Sequence, residues 1–223
     1  MEELIQGTQE WLNARAGSLG ASRVADAIAK TKSGWGASRA NLMAELIVER
    51  LTGAPVADRF VNDAMRWGTE VEPQARAAYE FYKDVSVKQV GIVRHPSIAG
   101  THASPDGLVG DDGLIEIKAP QTSNHIETLI SKAVPAKYVT QIQWQLCCTG
   151  RQWCDFVSFD PRMPEAMQFF CVRVHRVPEI IEELEQEVVA FLNEVRAKIS
   201  TLRKIYDPDM QTVDGAAELL MAG

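Results

Sequence analysis

The chain has 223 residues, 46% hydrophobic and 24% charged, with a net charge of −7, enough for one sizeable globular core. No apolar run approaches the ~20 residues that span a bilayer, and the acidic start MEELIQGTQEW lacks the apolar centre of a signal peptide, so a soluble cytoplasmic protein is expected. Cys147, Cys148, Cys154 and Cys171 form no C-x-x-C pair and fall in apolar stretches in one third of the chain. That argues against a disulfide framework or an iron–sulfur cluster and for free buried thiols.

A net negative charge argues against nucleic acid, but its distribution removes most of the objection. Residues 179–223 hold ten acidic and four basic residues, which leaves residues 1–178 at −1. Residues 11–40 carry Arg15, Arg23, Lys30, Lys32 and Arg39 against Asp26 alone. This permits a phosphate-facing surface and does not require one.

In chain order, residues 8–16 read as a helix capped by Thr8, and Ser22 as the cap of a second helix, SRVADAIAK. Lys30 to Gly36 reads as a flexible basic loop. A helix follows from Ser38 to Thr52, with Leu42, Leu46, Ile47 and Leu51 as its buried stripe. A longer one covers about 62–83, where Gly68 and Pro73 are expected to kink or split it. Either Glu70 or Glu72 in its middle can reach a neighbouring element. Val87 to His95 alternates as one strand, and His102 to Ser104 leads into a hairpin.

That hairpin, SPDGLVGDDGLIEIKAP (104–120), is the stretch the chain is organised around. Val109 closes its first strand, and Gly110-Asp111-Asp112-Gly113 suits a tight reversal. Leu114-Ile115-Glu116-Ile117-Lys118 alternates with period two, placing Glu116 and Lys118 on one face and Ile115 and Ile117 on the other. The reversal carries Asp106 back toward Glu116 and Lys118, with the Ile117 backbone carbonyl between them. Hard oxygen donors of this kind suit Mg²⁺, which acidifies water and neutralises charge on a phosphate. Lys118 would orient the attacking water or help deprotonate it. Glu-x-Lys alone is more often the mark of an ordinary amphipathic strand with a solvated face; the aspartate ten residues upstream brings the two readings level.

Beyond the hairpin, SNHIETLISK and residues 135–149 read as helices, the second carrying Gln141, Gln143 and Gln145 among apolar residues. Such amides either bridge backbone groups or, for Gln141, face the hairpin and hold a phosphate or water. Arg151–Asp160 and Met167–His175 read as strands, and Pro178 to about Tyr206 as a final helix about 40 Å long. The order implies an α/β (α+β) fold with one mixed sheet flanked by helices. Residues 1–206 are expected to form one domain and 207–223 a C-terminal tail.

Asp106, Glu116 and Lys118 match the D…E-x-K core of the restriction-endonuclease-like nucleases. The wider pattern resembles the phage lambda exonuclease family of alkaline exonucleases: Trp11 and Arg15 (W-x-x-x-R), Gly20-Ala-Ser22, Trp67, Gly68 and Glu72 (W-G-x-x-x-E), S-P-D-G from Ser104, E-I-K-A-P, Gln141 and Gln143, and F-D-P-R-M from Phe159. The resemblance implies a restriction-endonuclease-like core and a Mg²⁺-dependent exonuclease, using two ions with Mn²⁺ as a substitute. Such an enzyme digests one strand of linear double-stranded DNA from its 5′ end to mononucleotides, generating 3′ tails for phage-type recombination. It further implies a ring-shaped homotrimer, a single-strand annealing protein as partner and a phage or prophage origin. Residue by residue, Asp106, Glu116, the Ile117 carbonyl and Glu72 (in preference to Glu70) would be metal ligands. Lys118 would act on the water, and Gln141 would sit in the active site. Arg15, Ser22 and Ser104 would bind the terminal 5′ phosphate, Met65 would pry the end base pair, and Lys32 would reach downstream duplex. The alternatives are a nuclease of the same fold with another polarity and a catalytically silent DNA-end clamp.

Overall fold

The computed structural model describes residues 4–32, 34–56 and 63–207. The helices are α1 (Gln9–Arg15), α2 (Val24–Ala27), α3 (Ala37–Thr52), α4 (Asp63–Lys83), α5 (Thr122–Ser131), α6 (Ala136–Thr149) and α7 (Pro178–Tyr206). The strands are β1 (Leu19–Gly20), β2 (Lys30–Thr31), β3 (Gly34–Trp35), β4 (Val87–Lys88), β5 (Val93–Arg94), β6 (Thr101–Ala103), β7 (Gly107–Val109), β8 (Gly113–Lys118), β9 (Trp153–Phe159) and β10 (Phe169–His175). No helix among the described residues is long and apolar enough to cross a membrane. Most of the expected tail lies outside the described residues.

The main sheet has the order β10-β9-β8-β7-β4. β8 and β9 run parallel while the other neighbours are antiparallel, so the sheet is mixed. The parallel pair needs a crossover, and α5 and α6 supply it. Both faces of β8 are covered. Ile115 and Ile117 pack with Val71, Ala75 and Tyr79 of α4, and Leu114 packs with Ile142 and Leu146 of α6 and with Phe156. Each such side chain contributes about 1.5–3 kcal/mol by leaving water. A second core joins Leu42 and Leu46 of α3 to Trp144 of α6 and to Val188, Phe191 and Val195 of α7. The long C-terminal helix therefore packs on the body of the protein.

Several local expectations are corrected. Val87–His95 is two short strands in different sheets, because the N-terminal segment packs at the break: a Cβ on Gly91 would lie 2.1 Å from the Leu4 carbonyl oxygen, and Trp11 Nε1 donates to the Gly91 carbonyl. Residues 21–23 form a 3₁₀ turn, α2 is four residues long, and Ser22 caps neither. The basic loop is a β2–β3 ribbon, with Arg39 stacked on the Trp35 ring. In α3 the buried positions include Met43 and Glu49, while Leu51 is exposed. α4 runs unbroken through Pro73 for 21 residues, since Val71, Ala75 and Tyr79 anchor it to the sheet on both sides of the proline.

Candidate active site

The β7–β8 turn sets Gly107 opposite Ile115 and Val109 opposite Gly113, so Asp106, one residue before β7, returns beside the far end of β8. Its Oδ2 accepts a 2.6 Å hydrogen bond from the Ile117 backbone N–H. Glu116 points from the opposite face of β8 to Ile115 and Ile117, toward α6, and is 1% exposed. Gln141 Nε2 donates to its Oε1 and Gln145 Nε2 to its Oε2, each at 2.6 Å. Lys118, two residues along the same face, pairs its ammonium with Glu116 Oε1, with the Tyr138 ring 5.3 Å away.

Gln141 therefore faces the hairpin and spends one of its two amide N–H donors on Glu116. Gln145, fully buried, is the site residue that sequence reasoning missed. Its position one helical turn beyond Gln141 was the available signal. Gln143 takes the other role, bridging backbone groups: it donates to the His175 carbonyl and accepts from the Val177 N–H.

Burial raises the Asp106 carboxyl well above the usual carboxylate range, and the charges of Glu116 and Glu72 push it further, against Lys118 and the Ile117 N–H. Burial by itself would lower Lys118, but Glu116 and Asp106 more than offset it and hold the side chain as an ammonium above its ordinary range. Of the two candidate glutamates in the middle of α4, Glu72 is half-buried and Glu70 is exposed. Glu72 is paired to Arg76 one turn along the helix.

A second polar group forms around Arg15, the last residue of α1. Its guanidinium lies 3.9 Å over the Trp11 ring, and its Nε donates to His102 Nε2 at 3.0 Å. Ser104, two residues after His102, has a buried Oγ with no hydrogen-bond partner. Ser22 is exposed on its 3₁₀ turn, two residues beyond Gly20, where a Cβ would meet Arg15 and His102. Lys32 sits at the exposed turn of the β2–β3 ribbon. Met65 lies in the first turn of α4, and its side chain is outside the described part.

Among the described residues one further cluster has metal-ligand chemistry, His95, Cys147 and Glu185. Its hydrogen bonds fit a network better than an ion. His95 Nδ1 accepts from the backbone N–H groups of Ser97 and Ile98, so the ring proton is on Nε2, the atom a metal would need. That N–H faces Cys147 Sγ and Glu185 Oε1, each at 3.1 Å.

Comparison with known proteins gives the family and the fold. The model of the YqaJ-like viral recombinase domain matches residues 10–152. The alkaline exonuclease LHK-Exo of Laribacter hongkongensis is 53% identical, with 88% of this chain and 97% of that one covered at a TM-score of 0.82. Its complex with dAMP gives the same values. A phage-related exonuclease of Haemophilus somnus 129PT, 17% identical over 83% of this chain and 96% of its own, shares the fold at a TM-score of 0.66. No curated protein matches. The chain thus has the restriction-endonuclease-like fold and belongs to the YqaJ-like viral recombinase family, the lambda-exonuclease-like group that includes alkaline exonucleases.

Proposed function

We propose that this protein is a Mg²⁺-dependent exonuclease that degrades one strand of linear double-stranded DNA from the 5′ end, releasing 5′ mononucleotides and leaving 3′ single-stranded tails for recombination. The observation that carries the reading is the meeting of Asp106, Glu116 and Lys118 at one corner of the sheet, with Glu116 held by two amides. The relative LHK-Exo, an alkaline exonuclease crystallised with a deoxynucleoside monophosphate, supports it.

The donor set fits Mg²⁺. It is all oxygen, and burial, with the charges of Glu116 and Glu72 beside it, raises the Asp106 carboxyl, a cost to the ionised form that a bound cation offsets. Asp106, Glu116, the Ile117 carbonyl and a Glu72 released from Arg76 would hold the ion. When bound, Mg²⁺ (with Mn²⁺ as a substitute, and two ions in the full site) supplies charge neutralisation on the phosphate and a more acidic water.

The chain's own groups do the positioning. Lys118 orients the attacking water or helps deprotonate it, and stabilises negative charge on the phosphate. Gln141 and Gln145 fix the Glu116 carboxylate against rotation. Water attacks phosphorus in line and gives up a proton to solvent, the bond to the 3′ oxygen breaks, that oxygen takes up a proton, and a 5′ mononucleotide leaves. Arg15, Ser22 and Ser104 are proposed to take the terminal 5′ phosphate through charge-assisted hydrogen bonds. The orphaned Ser104 Oγ supports a polar ligand there. Met65 and Lys32 are proposed contacts to the end base pair and the downstream duplex. Assembly as a ring-shaped homotrimer and action beside a single-strand annealing protein complete the proposal.

The test is digestion of duplexes labelled at one 5′ or one 3′ end, with closed circles as control. Label released first from 5′ ends as mononucleotide, with Mg²⁺ and from linear DNA only, is expected. Release from 3′ ends first, or cutting of closed circles, would overturn the assignment.

A further inference from the structure

We infer that His102 is a positioning residue that aims Arg15 at the 5′-terminal phosphate, an inference that rests on the end-recognition role proposed for Arg15. An arginine at a helix end has several rotatable bonds, and discrimination of a DNA end requires its guanidinium plane to be fixed. Three contacts fix it. Trp11 supplies a stacking floor 3.9 Å away. The turn that follows α1 is clamped from α3 at both sides of one residue: the Gly17 N–H donates to Glu49 Oε2, and the Gly17 carbonyl accepts from Arg50 Nε, both at 2.7 Å. The third contact is His102, which decides the direction of the plane.

Arginine carries only donors, so the 3.0 Å contact from Arg15 Nε requires an unprotonated His102 Nε2. The ring proton then sits on Nδ1 and is donated to Ser18 Oγ at 2.8 Å. Arg15 thus selects the tautomer, and the Ser18 hydroxyl, able to accept as well as donate, accommodates it. The ring is buried at 1% exposure, and the backbone beneath it is set by the β1–β6 ladder, in which Gly20 lies opposite His102. Gly20 leaves the room: a Cβ there would lie 3.3 Å from both Arg15 Nη2 and His102 Nε2. Ser104, with its orphaned Oγ, follows His102 by two residues. The chain Ser18–His102–Arg15 is thus built on the same segment that carries the hydroxyl proposed to share the phosphate.

Two conservative variants separate aiming from packing. Asparagine puts its amide where Nδ1 is, keeping Ser18 and losing Arg15; glutamine puts its amide where Nε2 is, keeping an acceptor for Arg15. The readout is the ratio of kcat/KM on 5′-phosphorylated over 5′-hydroxyl duplex ends at fixed salt, with thermal unfolding alongside. His102→Asn is expected to lower that ratio about tenfold, in line with losing a hydrogen bond to a charged group, with hydroxyl ends cut as before. His102→Gln is expected to stay within about threefold of the unmodified protein, since a surviving acceptor preserves most of such a bond. If Asn keeps the full ratio, or Asn and Gln lower it alike, His102 does not aim Arg15, although the end-recognition reading stands. If the unmodified protein cuts both ends equally and Arg15→Ala changes nothing, that underlying reading itself falls.

Discussion

Gln145 offers a sharp test of how the site is held. Its side chain is fully buried, its Nε2 donates to Glu116 Oε2 at 2.6 Å, and its Oε1 has no partner. Gln145→Met keeps length and volume, removes the orphaned oxygen and leaves Glu116 short of one donor. Losing a hydrogen bond to a buried charged group costs about 1–3 kcal/mol, part of which is recovered by removing an unsatisfied oxygen. A net cost of about 1–2 kcal/mol would lower Tm by about 2–8 °C in a domain of this size. Loss of a group that orients a metal ligand typically costs 10–100-fold in metal affinity or activity, so the Mg²⁺ midpoint for cleavage should rise by about that factor. Gln143→Met is the control: its amide serves only the backbone of His175 and Val177, and it should lose stability with an unchanged Mg²⁺ midpoint. An unchanged midpoint in Gln145→Met, or the same rise in Gln143→Met, would refute the reasoning.

Lys118→Ala should cut turnover by about 10²–10⁴ while DNA binding by fluorescence anisotropy stays within about threefold, since one phosphate contact among many is lost. Burial would raise the Asp160 carboxyl, but hydrogen bonds from Arg162 and Thr122 hold it down at about 2. Such a depressed carboxylate stabilises the fold above pH ~4, and that contribution is lost as pH falls toward 2. Asp160→Asn should therefore cost about 2 kcal/mol at neutral pH, a gap that closes in urea melts run near pH 2. Arg39 is buried between the Trp35 and Phe191 rings and donates to Glu194 and to the Ala27 carbonyl. Arg39→Ala should cost about 2–4 kcal/mol, read from the urea midpoint at constant slope.

The central hairpin was legible because its information is local: period-two alternation fixes which side chains share a face, and the Gly-Asp-Asp-Gly reversal fixes the partner strand. The bounds of α7 were legible for the same reason, as Ile181, Leu184, Val188, Phe191 and Val195 mark one helical stripe with Pro178 at its start. Long-range choices were not. Alternation across Val87–His95 says nothing about which sheet each half joins, and the split is made by Leu4 and Trp11 some eighty residues away. The amide ladder of α6 could be read as polar residues on a buried helix, but which amide meets Glu116 depends on the rotation of α6 against β8. His102 gave no sign of its partner, since Arg15 and Ser18 reach it only through the β1–β6 pairing.

The most direct measurement is the anomalous signal of a crystal soaked in Mn²⁺. An ion between the Asp106 and Glu116 carboxylates and the Ile117 carbonyl is the expected result. A corner without Mn²⁺, with the ion bound instead at His95, Cys147 and Glu185 or nowhere, would contradict the assignment of the hairpin as the catalytic centre.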